Sequence, residues 1–67
     1  MTTFADRLKE LRNEHNLSLQ QLASETKISS SSLCRWENCQ AEIKCFDLVT
    51  LAKYFKVTTD YLLGLED

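Results

Sequence analysis

The sequence predicts an all-helical domain, and three observations carry that prediction. Glycine occurs once, at Gly64, and proline not at all, which removes the turn residues that a sheet of short strands needs at regular intervals. Apolar side chains recur three and four apart along most of the chain, the period of one helix face. Hydroxyl residues stand just ahead of these runs at Thr3, Ser18, Ser29 and Thr58, where a side-chain oxygen can accept from first-turn N–H groups.

The first helix is expected over residues 3–14, with Phe4, Leu8 and Leu11 as its stripe. Thr2 or Thr3 caps it, and Asp6 takes the acid position of a capping box. His15 and Asn16 form its exit, since Asn tolerates the left-handed conformation. The second helix starts at Ser18, which with Gln21 has capping-box spacing, and it buries Leu19, Leu22 and Ala23. Thr26, Lys27 and Ile28 must turn the chain before a new cap at Ser29. The third helix spans 30–38, with Leu33 and Trp36 inward and Ser31, Cys34, Arg35 and Asn38 on the opposite face. A loop over 39–43 leads to a fourth helix over 44–55, whose stripe is Leu48, Leu51, Ala52 and Phe55. Thr58 caps a last short helix over 59–63, and Gly64 is its left-handed terminator.

At 67 residues the chain suits one domain, 1–67, with a small core. The hydrophobic fraction of 43% and charged fraction of 27% are those of a soluble globular protein. No apolar run approaches the roughly 20 residues of a membrane span, and residues 1–7 lack a signal-peptide pattern. Cys34, Cys39 and Cys45 are an odd set without zinc-ligand spacing. They read as free thiols in a reducing cytoplasm, with Cys45 packed in the core as a small hydrophobe. No nucleophile–base pair, metal cluster or phosphate loop is visible, so neither an enzyme nor a cofactor is expected.

Two short helices joined by a tight turn, the second with a polar outer face, form a helix-turn-helix over residues 18–38. Ala23 is small where the two helices approach, and Ile28, Leu33 and Trp36 anchor the second helix to the core. Its outer face is left free for a DNA major groove about 12 Å wide.

Leu17-Ser18, Leu22-Ala23, Ile28-Ser29, Leu33 and Trp36-Glu37-Asn38 resemble the Cro/phage-repressor (XRE-like) helix-turn-helix family, as does the run from Leu48 to Gly64. The resemblance covers residues 4–64 and implies a five-helix, lambda-repressor-like DNA-binding domain. It implies base reading by Ser30, Ser31 and Arg35, and phosphate contacts from the backbone at Ser18 and Leu19 and from Asn38, Gln40 and Lys44. It also implies a buried ion pair between Arg12 and Glu37. The implied partner is double-stranded DNA, bound by a homodimer acting as a repressor, with recognition helices about 34 Å apart on a near-palindromic operator. Tyr61, Leu62 and Leu65 either complete the core or form the dimer patch. Leu19 departs from the family's usual Gln, Lys27 and Cys39 from its Gly, and the loop near Ile43 lacks its Pro.

The bland readings are a solvated arginine at Arg35, a helix-start role for the serines, and a core role for Trp36. His15 is a capping or surface residue. Cys34 is a small residue that fits against DNA, or a redox-sensitive one. The net charge of −2 opposes phosphate binding, although Lys27, Arg35 and Lys44 cluster toward the expected DNA face while Asp60, Glu66 and Asp67 collect at the far end. The rival reading is a protein-interaction module that keeps the scaffold and no longer binds DNA.

Overall fold

The computed structural model describes residues 3–66. Five helices follow one another: α1 (Phe4–Glu14), α2 (Leu19–Thr26), α3 (Ser30–Glu37), α4 (Cys45–Phe55) and α5 (Thr59–Leu62). No strand occurs among the described residues. Thr2 and Asp67, named above as a possible cap and as part of an acidic end, lie outside them. The helix bounds differ from expectation only at the caps. Thr3 and Lys44 stand just before α1 and α4, and Asn38 and Leu63 just after α3 and α5, where a residue is half inside the helix.

Each hydroxyl cap forms. The oxygens of Thr3, Ser18, Ser29 and Thr58 accept from the backbone N–H groups of Asp6, Gln21, Ser32 and Tyr61. Asp6 and Gln21 complete two reciprocal boxes by accepting from the N–H of Thr3 (3.3 Å) and Ser18 (2.8 Å). Four helix ends share one termination. Asn16, Cys39, Lys56 and Gly64 take positive φ. Each donates to the carbonyl three residues back, and the next residue donates to the carbonyl five back, which is a Schellman motif.

Lys27 is also left-handed, at φ 63° and ψ 24°, and donates to the Ala23 carbonyl. A side chain there costs about 1–2 kcal/mol, partly offset by the stiffer unfolded chain. Lys27→Gly is therefore expected to stabilise the domain by about 1 kcal/mol, raising Tm by roughly 4–8 °C. Thermal denaturation followed by circular dichroism measures this, and an unchanged or lower Tm would contradict the strain argument.

The core comprises Leu8 and Leu11 from α1, Leu22 from α2, Ile28 from the turn, Leu33 and Trp36 from α3, Leu51, Ala52 and Phe55 from α4, and Leu62 from α5. Helix α3 packs on both α1 and α2, while α5 packs on α1 and α4. Trp36 meets the Phe4 ring edge-on at 6.4 Å, which makes it a core residue. His15 Nδ1 donates to the Leu11 carbonyl at 2.9 Å, and the ring lies edge-on to Phe55. It therefore both terminates α1 and covers the core.

Two placements differ from expectation. Cys45 is exposed. As the first residue of α4 it precedes the inward stripe, which begins at the half-buried Leu48. Arg7, which the stripe of α1 left unassigned, is buried with its guanidinium 4.1 Å from the centre of the Tyr61 ring. Tyr61 and the fully buried Leu62 thus go to the core, whereas Leu65 remains 73% exposed.

Candidate nucleic-acid interface

The orientation of α3 follows from what its inner face touches. Leu33, Trp36 and Glu37 are buried. The Glu37 carboxylate receives Arg12 in a two-pronged contact, Nε to Oε2 at 2.7 Å and Nη2 to Oε1 at 3.0 Å. Arg12 Nη1 also donates to the Leu17 carbonyl at 2.8 Å. One guanidinium thereby ties together the end of α3, the end of α1 and the approach to α2. Its side chain is 16% exposed and that of Glu37 only 5%. The hydrogen bond to Glu37 raises the Arg12 pKa above its ordinary value, and desolvation opposes that rise. Arg12 is a cation at every pH the fold meets.

With that face fixed, the serine run divides by role. Ser29 and Ser32 are spent on the cap: Ser32 N donates to Ser29 Oγ, and the two hydroxyls bond each other at 2.9 Å. Ser30 and Ser31 make no side-chain hydrogen bond among the described residues, and Ser31 is exposed. Arg35, one turn beyond Ser31, is exposed, and its guanidinium has neither an ion-pair nor a hydrogen-bond partner among the described residues. Ser30, Ser31, Cys34 and Arg35 line one side of an open depression of about 410 Å³, and Leu19 of α2 lines the other. The three residues expected to read bases therefore come together, with Leu19 beside them.

The expected phosphate contacts are placed less uniformly. The Ser18 N–H is held by Gln21 Oε1. The first intrahelical bond of α2 is Leu22 N to Ser18 O, so the outward amides at this end are those of Leu19 and Gln20. Gln20, exposed and second in α2, had no distinguishing signal in the sequence, because cap spacing alone does not tell which amide the box leaves open. Asn38 Nδ2 donates to the Cys34 carbonyl at 2.9 Å and reaches Cys34 Sγ at 3.4 Å. A phosphate would have to draw it from its own helix. Gln40 is exposed just past the end of α3, its amide bonded to the Arg35 carbonyl.

Lys44 is exposed and caps α4 without a side-chain hydrogen bond. The first turn of α4 carries Asp47, and the first amides there have no hydroxyl or carboxylate from the cap. A lysine at an N-cap is the sequence signal for that arrangement, since it cannot accept a hydrogen bond. Phe46, on the first turn of α4, is 80% exposed, outside the helical stripe that runs through Leu48.

Among the described residues, no helix is long and apolar enough to cross a membrane, and no three His, Cys, Asp or Glu side chains could together hold a metal ion.

Residues 5–67 match the family model described as a helix-turn-helix domain. The chain is 38% identical over 64 residues to the uncharacterized HTH-type transcriptional regulator YobD of Bacillus subtilis (strain 168), covering 96% of this chain and 57% of that protein. It is 33% identical over 64 residues to the HTH-type transcriptional activator BcrR of Enterococcus faecalis, covering 96% of this chain and 31% of that protein. The chain thus spans about half of one curated relative and a third of the other. A transcriptional regulator from Listeria innocua superimposes with a TM-score of 0.86 at 26% identity, covering 97% of this chain and 61% of that one. The P22 c2 repressor, solved in complex with a synthetic operator, superimposes with a TM-score of 0.90 at 21% identity, covering 98% of this chain and all (100%) of that one. This last likeness is one of fold.

Proposed function

The chain belongs to the helix-turn-helix domain family, and from that premise we propose that it is a sequence-specific DNA-binding domain of a transcription regulator, with α3 lying in the major groove. The observation that carries this reading is the outer face of α3. Two hydroxyls and a guanidinium project there without intramolecular partners, while the inner face is locked by the Arg12–Glu37 pair. A guanidinium can donate two parallel hydrogen bonds to guanine O6 and N7. Ser30 and Ser31 supply adaptable donors and acceptors one turn away.

The Leu19 and Gln20 amides, Gln40 and the Lys44 end of α4 hold phosphates on either side. These contacts fix register and carry no sequence information. The domain, residues 1–67, acts as a homodimer on a near-palindromic operator, because one short helix reads too few base pairs to specify a site alone. It works in the cytoplasm, without a cofactor and without catalysing a reaction. Repression follows where the operator overlaps a promoter. The rival reading, a protein-interaction module, has less support, since such a surface is enriched in exposed aromatics and the α3 face presents none.

Selection of the purified protein against a random duplex pool tests the proposal, followed by titration of the winning sequence at several salt concentrations. A near-palindrome is expected to enrich. With Lys27 and Lys44 as the flanking cations, the salt slope should be shallow, about −2 per subunit at roughly −0.9 per phosphate neutralised. Affinity that stays uniform across sequences would overturn the reading and favour the protein-interaction alternative.

A further inference from the structure

The depression beside Arg35 is built from mixed chemistry. Leu19, half-buried and packed on the core, forms one wall. Cys34, with its thiol already receiving the Asn38 amide, stands opposite on α3. Ser30, Ser31 and Arg35 complete the lining. The lining holds one cation and no acid. The leucine methyls and the sulfur offer apolar contact, and the two hydroxyls can each donate one hydrogen bond. A phosphate would suit Arg35 but not Leu19, and an apolar side chain would suit Leu19 but strand the guanidinium.

One edge satisfies every wall. In the major groove a thymine presents a 5-methyl group beside its O4 acceptor, and a neighbouring guanine presents O6 and N7. We propose that the depression bounded by Leu19, Ser30, Ser31, Cys34 and Arg35 receives the 5-methyl group of a thymine next to the guanine that Arg35 contacts, making Leu19 a specificity-determining residue. The proposal rests on the DNA-binding reading above and adds the base read beside the guanine.

The test deletes the methyl group without altering the protein. Each thymine of the selected operator is replaced in turn by deoxyuridine, and binding is measured by fluorescence anisotropy for wild type, Leu19→Ser and Cys34→Ser. One thymine per half-site is expected to lose about fourfold in affinity on demethylation, the effect of one methyl group leaving water, and about fifteenfold when both half-sites are changed. Leu19→Ser should bind the two operators equally, and Cys34→Ser should narrow the difference. Circular dichroism confirms that each variant folds. Should Leu19→Ser not fold, the wild-type and Cys34→Ser measurements decide. If no thymine responds in the wild type, or if the loss persists undiminished in the variants, the inference is overturned while the DNA-binding reading stands. If no operator is selected at all, the DNA-binding reading fails and takes the inference with it.

Discussion

Glu37→Ala is expected to destabilise the domain by about 3 kcal/mol, the lower end for breaking a buried ion pair, because the Arg12 side chain keeps 16% of its exposure. The substitution removes both carboxylate oxygens from a guanidinium that lies between α1, α3 and the Leu17 carbonyl. Arg12 would keep one acceptor, with its other donors largely cut off from water. A domain of this length has only about 3–10 kcal/mol to lose at the usual stability per residue. The melting temperature should fall by roughly 12–24 °C. Arg12→Met combined with Glu37→Leu should recover much of the loss, since an apolar pair of similar volume leaves no stranded charge. Thermal denaturation of the two variants measures both effects, and a Glu37→Ala protein melting with the wild type would refute the argument. The raised Arg12 pKa fixes the pH behaviour. A cation with a higher pKa folded than unfolded contributes fully below its unfolded value and loses that contribution only in strong alkali. Arg12 itself should therefore add no slope to stability across neutral pH.

The helices were legible because their signals are local and redundant. At Ser18 a capping hydroxyl, a reciprocal glutamine and a leucine stripe all specify the same start, and the structure uses all of them. Residues whose position depends on distant partners were harder to read. Arg7 lies three residues after Phe4 and four before Leu11, squarely on the buried side of α1, yet its charge argued for solvent. Tyr61, brought by α5 from the other end of the chain, lies against the guanidinium there. Cys45 failed in the opposite direction. A small apolar residue suggested the core, but the first residue of a helix follows the direction of the incoming loop. The Arg12–Glu37 pair came from resemblance alone, since no spacing rule joins residues 25 apart. Within the site, residue types identified the α3 face and Ser29 as its cap, but the hydroxyl contact that ties Ser32 to that cap required coordinates. Lys56 shows another limit, since a lysine in the left-handed region carries no mark in the sequence.

Arg35→Ala is expected to abolish sequence-specific binding while leaving the fold untouched. The guanidinium is exposed and makes no contact that holds the domain together, and surface substitutions of that kind usually shift stability by less than about 0.5 kcal/mol. On the proposed operator the same group would account for about 1–3 kcal/mol of discrimination per half-site. The proposed dimer would make the contact twice, so the loss compounds to roughly 30-fold at the low end and about 20,000-fold at the high end. The nature of the loss matters as much as its size. Without Arg35, affinity for the selected operator should fall to the level of random duplex. The preference for guanine at that position should vanish, whereas the salt slope should change little, because the phosphate contacts proposed for Lys27 and Lys44 are untouched. Arg35→Lys separates charge from geometry, since an ammonium keeps the attraction but lacks the planar fork. It should bind DNA well and discriminate poorly. If Arg35→Ala enriches the same operator with the same affinity, the recognition helix does not read through this residue. If binding and Tm fall together, Arg35 has a structural role that its exposure does not reveal. Loss of specificity at constant Tm would assign the outer face of α3 to base recognition.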